Sequence, residues 1–322
     1  MLLGRYAFRA MGSPCELHLY GLSRAAVDAV AEAARALVER LEQKYSRYRE
    51  DSVLSAINRS AGDPAGVEVD DETALLLDYA ATAHRESGGL FDPTSGSLRR
   101  VWNLRSGRVP AQAEIEAQLE RVGWARVRWE KPRFAMPVAG MELDFGGFVK
   151  EYAVDLVADL CRARGVHHGM VDLGGDLHAI GPHPSGKPWM TGIRDPEHPE
   201  RAIASVGLMR AALATSGDYE RCMVIDGVRY THILDPHTGW PITGGLRSVS
   251  VIADRCLVAG TATTIAMLKG ARAGSRFLDS LGVASLRIHA DGRTTGSLAK
   301  VERTSVGRSG RSAARARQGL ER

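Results

Sequence analysis

Two glycine-rich turns flank one helical stretch between residues 143 and 176, and their side chains suit a ligand that carries phosphate. The first turn, Leu143-Asp144-Phe145-Gly146-Gly147-Phe148-Val149-Lys150, sets a carboxylate, two residues without side chains and an ammonium ahead of an apolar helix containing Tyr152, Val154, Leu156, Val157, Leu160 and Cys161. Glycines let backbone amides and carbonyls approach a ligand closely. The free N–H groups and dipole of a helix N-terminus favour anions, and Lys150 adds a point charge suited to phosphate. The second turn, Asp172-Leu173-Gly174-Gly175-Asp176, brings two more carboxylates to the end of a strand-like run. Such turns also serve as plain connections between elements, and neither spells a dinucleotide-binding or P-loop fingerprint.

The elements that must position these turns alternate between α and β. Residues 8–13 and 15–20 alternate like a hairpin broken at Gly12. Ser23 is placed to cap a helix in which Val27, Val30, Ala34, Leu37, Val38, Leu41 and Tyr45 recur at helical spacing. A second helix near residues 72–84 carries Leu75, Leu76, Tyr79 and Ala83, and residues 112–121 read as a short one. Residues 127–145 alternate as strands interrupted by Pro132 and Pro137. Further strands are expected at 190–193, 203–208, 211–215, 222–225 and 246–252, a helix at 258–269, and helix, strand, turn and short strand over 273–299. With no internal repeat and no linker before residue 303, the simplest architecture is α+β: one domain over residues 1–302, with mixed or antiparallel sheets and flanking helices.

Composition narrows the function classes. The chain has 322 residues, 44% of them apolar, enough for a substantial core. Its formal charge is +4, but residues 303–322 hold six arginines against one glutamate, so the body is near −1. A nucleic-acid partner is therefore not expected, and the basic segment reads as a disordered tail. Cys15, Cys161, Cys222 and Cys256 are too scattered for a metal cluster or a disulfide framework. His167, His168, His178 and His183 sit beside loops and read as solvated rather than metal-binding. No run of eighteen apolar residues is present, and the start at Met1-Leu2-Leu3-Gly4-Arg5 lacks the pattern of a signal peptide, so a cytoplasmic setting is expected.

Two more clusters sit on loops at helix ends, Tyr48-Arg49-Glu50-Asp51-Ser52 and Phe91-Asp92-Pro93-Thr94, and a third comprises Ser216-Gly217-Asp218-Tyr219-Glu220-Arg221 and the run from His232 to Pro241. Taken in order with Met11-Gly12-Ser13 and the two glycine turns, they make the chain resemble the ApbE family of FAD:protein FMN transferases from about residue 11 to residue 270. The resemblance implies a single α/β domain that binds FAD in a cleft. It also implies magnesium-dependent transfer of FMN to a Thr or Ser hydroxyl of an acceptor protein, with release of AMP. The acceptor implied is a subunit of a redox membrane complex.

By motif position, the resemblance makes Met11, Tyr48, Leu90, Phe91, Asp92, Asp144, Lys150 and Ile233 contacts to FAD. Tyr48 and Phe91 offer faces for stacking, Asp92 or Asp144 can accept hydrogen bonds from adenine or ribose, and Lys150 can offset pyrophosphate charge. His232 is the candidate base for the acceptor hydroxyl, because imidazole titrates near neutrality; a histidine there can equally just orient a loop. The magnesium ligands implied are Gly147, Thr263 and Thr264.

One departure stands out. The family's Ala-Asp-Ala-x-Ala-Thr metal segment corresponds to Ala259-Gly260-Thr261-Ala262-Thr263-Thr264, so the acid is replaced by Gly260. The hydroxyl of Thr264 remains, one helical turn on. Asp254 is the nearest upstream acid but lies off that helical face. Three readings stay open: a transferase, an FAD pyrophosphatase using water, and an FAD carrier without catalysis. If Gly260 costs the metal its charge partner, a Gly260→Asp variant is expected to need less magnesium.

Overall fold

Tight two-residue turns organise the central sheet. In the computed structural model, which describes residues 1–300, β1 (Leu2–Ala10) and β2 (Ser13–Gly21) form the expected hairpin. Met11 and Gly12 at its turn both have positive φ, 51° and 70°, as a turn matched to strand twist requires. The second glycine turn is built alike: Gly174 and Gly175, with φ of 67° and 91°, join β3 (His168–Leu173) to β4 (Asp176–Gly181). The sheet continues through β5 (Ala212–Gly217), β6 (Leu246–Ala253), β7 (Ala284–His289) and β8 (Thr294–Thr295). All neighbours are antiparallel, and their spatial order is their order along the chain. The basic segment 303–322 lies outside the described residues.

Helices cover one face of this sheet. Helix α1 (Arg24–Tyr45) starts where Ser23 accepts from the Ala26 amide. Helix α2 (Val53–Arg59), capped by Ser52, was not anticipated, because seven residues are too few to display a helical period. Helix α3 (Asp71–Ser87) is capped by Asp70 and ends at Gly88, followed by α4 (Gln112–Leu119) and α5 (Val149–Ala163). Helix α6 (Cys256–Leu281) breaks its helical dihedrals at Gly270, so it runs as the two pieces expected from the sequence. Among the described residues no helix is long and apolar enough to cross a membrane.

The main core joins Leu17, Leu19, Val171, Val249 and Val251 of the sheet to the buried faces of α1, α3, α5 and α6. On the opposite face a hairpin of Trp189–Arg194 and Ala202–Leu208 covers Met170, Leu177, Leu213, Leu286 and Ile288. Covered on both sides, β4 is buried along its whole length and shows no apolar–polar alternation. A satellite cluster of Trp102, Ile115 and Met223 ties α4 to the hairpin Cys222–Ile225 and Val228–Thr231.

One buried contact sets the site's dimensions. Arg255, at the start of α6, offers no side-chain cap. Instead Asp155 of α5 accepts from the Cys256 and Leu257 amides at 2.8 and 3.0 Å, while His178 holds its other flank at 2.8 Å. The second turn of α5 is thereby pinned to the first turn of α6.

Candidate active site

A cleft opens where the N-terminal turn of α5, the second glycine turn, the end of β5, α6 and the segment after the 228–231 strand meet. Its wall includes Leu90, Phe91, Asp92, Asp144, Gly147, Lys150, His232, Ile233 and Thr264, residues that lie far apart in sequence. Phe91 is buried and packs on Phe148, with ring centroids 6.0 Å apart. Ile233 is also buried. Thr263 is fully buried beside Thr264, and its hydroxyl donates to the Gly260 carbonyl at 2.7 Å. The structure does not bring Met11, Tyr48 or Thr263 to this wall. Met11 is held in the β1–β2 turn, and Tyr48 is 81% exposed with the Arg47 guanidinium 5.3 Å from its ring centroid.

At one end the acids are matched by guanidiniums. Asp144 Oδ2 lies 3.2 Å from Arg47 and 3.1 Å from Arg99, and its Oδ1 accepts from the Gly146 amide at 2.8 Å. Glu142 is paired with Arg47 and Arg100. Burial alone would push the Asp144 carboxyl up, yet Arg99 and Arg47 hold it below the usual carboxylate range. Asp92 spends its oxygens on the protein too: Oδ1 accepts from the amide and hydroxyl of Thr94, and Oδ2 from the Trp124 amide. Both aspartates therefore act first as organisers of their loops.

His232 faces this cationic end. Burial, followed by the nearby charges of Arg221 and Arg99, lowers its pKa to about 4, so the ring is neutral at physiological pH. Its Nδ1 lies 3.2 Å from the Arg221 carbonyl. A carbonyl can only accept, so Nδ1 carries the proton and Nε2 is the basic nitrogen.

The other end is organised around Lys150, which forms a close ion pair with Asp176 and donates to the Leu173 carbonyl at 3.3 Å. Thr264 Oγ1 lies 3.2 Å from Ser216 Oγ, which also contacts the Thr263 hydroxyl at 2.8 Å. Glu151, next to Lys150, lines the same wall. Its Oε2 is buried with no hydrogen-bond partner among the described residues. Asp254 is exposed just past the end of β6 and does not line the cleft, so it does not replace the acid missing at position 260.

Several wall residues escaped sequence reasoning. Arg99 follows the Phe-Asp-Pro-Thr motif in a short 3-10 turn and carries no local signal. Glu151 stands one residue beyond the recognised turn, where a charged residue in a helix's first turn reads as ordinary. Of the histidines read as solvated, His178 is instead buried in the sheet, where its ring meets Asp155 and Arg162.

The ApbE family profile matches residues 11–286. The FAD:protein FMN transferase of Treponema pallidum is 33% identical over 316 residues, which is 92% of this chain and 87% of that protein. The ApbE protein of Thermotoga maritima superposes with a TM-score of 0.84 at 32% identity, covering 92% of this chain and 97% of that one. The apo flavinyl transferase ApbE of Pseudomonas stutzeri gives 0.82 at 30% identity, over 92% and 95%. Matched by the profile along most of its length and by relatives of this similarity, the chain belongs to the ApbE family.

Proposed function

We propose that this chain is an FAD:protein FMN transferase that uses magnesium, moving FMN from FAD to a Thr or Ser hydroxyl of an acceptor protein and releasing AMP. Relatives carry the enzyme name. The observation that supports extending it to this chain is the convergence of Asp144, Lys150, His232 and Thr264, from three separated stretches of sequence, on one cleft. The acceptor we propose is a subunit of a redox membrane complex.

In this reading the acceptor oxygen bonds to the phosphorus on the flavin side, the bond from that phosphorus to the AMP oxygen breaks, and the hydroxyl proton passes to His232 Nε2. Such transfers depend on positioning and charge stabilisation more than on covalent catalysis. Lys150, Arg99 and Arg221 supply positive charge along the wall. A pyrophosphate near His232 would draw its pKa upward from about 4 toward the range where a base works best. Magnesium, when bound, offsets the charge of the two phosphates. Gly147 and Thr264 line the cleft, and a backbone carbonyl and a hydroxyl are oxygen donors that fit that hard ion; they would hold it together with the Thr263 carbonyl.

The test is incubation with FAD, magnesium and an acceptor bearing a flavinylation Thr, followed by AMP release and acceptor mass. Transfer yields one AMP for each acceptor that gains the mass of FMN. AMP without covalent flavin would move the assignment to the pyrophosphatase. Bound FAD without AMP at any magnesium concentration would leave the carrier.

A further inference from the structure

We propose that Glu151 of α5 is the anionic ligand of a divalent cation in this cleft, occupying the space that Gly260 leaves on α6. The proposal rests on the transferase reading for what the cation does, but not for where it binds.

The two positions share one volume. A Cβ built on Gly260 would lie 2.5 Å from Glu151 Cγ and 3.0 Å from its Cδ and Oε1, closer than non-bonded carbons approach. Any side chain at 260 therefore competes with Glu151 for the same place. Thr264 follows Gly260 by one helical turn and Gly147 precedes α5, and both line the wall together with Glu151. The Glu151 carboxylate thus stands among the oxygens already suited to a hard cation.

Ordinary roles for Glu151 fail on geometry. A glutamate at the third position of a helix often reaches back to the amide of the capping residue; here the Phe148 amide donates to the Phe145 carbonyl instead, at 3.1 Å. Lys150 is committed to Asp176, and its nearest approach to Glu151 is 3.8 Å, beyond hydrogen-bond distance. What remains is a carboxylate with one oxygen buried and unpartnered. A buried anion is costly without a counter-charge, and a cation with oxygen ligands supplies one.

Mn2+ serves as the probe, its uptake followed by electron paramagnetic resonance in the absence of FAD, with thermal melting as a second readout. Wild-type protein is expected to bind Mn2+ and to melt at higher temperature with it. Glu151→Gln is expected to weaken binding at least tenfold, lose the cation-dependent rise in Tm, and melt no lower than wild type in EDTA. The exchanged pair Glu151→Gly/Gly260→Asp is expected to bind within a few-fold of wild type. The assignment is overturned by a wild-type protein that takes up no Mn2+, by Glu151→Gln binding it equally well, or by Glu151→Gln melting lower in EDTA, which would make the side chain structural. A folded exchanged pair binding no better than Glu151→Gln would also overturn it. FAD binding in EDTA, read by fluorescence, is separate: wild type that binds Mn2+ but not FAD removes the transferase reading and leaves the cation ligand standing.

Discussion

At the Asp144 end of the cleft Asp144 and Glu142 meet guanidiniums, whereas at the Glu151 end one carboxylate oxygen is buried without a hydrogen-bond partner among the described residues. The difference separates two uses of acidic residues that look alike in sequence. Asp144, Glu142 and Asp92 spend their charge on Arg47, Arg99, Arg100 and backbone amides, and so hold loops in shape. Glu151 has only the Lys150 ammonium nearby, at 3.8 Å and already committed to Asp176, and among the described residues its buried oxygen has no hydrogen-bond donor. A satisfied network stabilises the apo fold, while an unsatisfied group marks where a ligand must contribute.

The largest expected effect breaks the cationic end. His232→Ala should slow transfer by about 100-fold or more, the usual worth of a general base, with FAD affinity in EDTA little changed. A rate within a few-fold of wild type would remove the base assignment. The same residue leaves a mark on stability. The pKa of His232 falls from 6.5 to about 4 in the fold, so between those values the unfolded chain binds a proton that the folded ring refuses. Stability contributed by His232 is therefore lost as pH drops through this window. Urea melts at pH 7 and pH 5 should show a smaller acid loss for His232→Asn than for wild type.

Next in size is Lys150→Met. Asp176 is buried, and stripping its partner should cost about 3 kcal/mol of stability as well as FAD affinity. Adding Asp176→Asn should restore the melting transition but not the FAD titration; recovery of both would make Lys150 a purely structural partner.

A smaller effect sharpens the comparison directly. The sequence alone leads to the expectation that Gly260→Asp lowers the magnesium requirement. With Glu151 in place the new side chain has no room, so the single variant should lose about 1–3 kcal/mol from overpacking and gain no magnesium affinity. Denaturant melts and a magnesium titration check both parts. Least disruptive is Tyr48→Ala: at 81% exposure, stability should change by no more than about 0.5 kcal/mol. A fall in its FAD affinity would indicate that the loop meets the substrate although it does not line the cleft.

Much of this was legible in residue order, for local reasons. The Ser23 cap and the apolar period of α1 and α3 identify those helices, and the Gly174-Gly175 pair identifies a tight turn. The motif series from Met11 to Pro241 likewise indicated FAD chemistry, because each motif is a short run of residue types. Sequence was silent where the signal is short or non-local: α2 spans two turns, and Arg99 reaches the cleft only because its 3-10 turn packs beside Asp144.

Element types, the flavin family and the absence of an acid at position 260 were thus settled by the sequence alone, since caps, turns and motifs act over a few residues. Only the tertiary structure decided which acids are consumed by partners and which one is free. That choice depends on α5 and α6 being pinned by Asp155 across the Cys256 and Leu257 amides, which sets Glu151 against Gly260 from a distant part of the chain, where no local pattern records it.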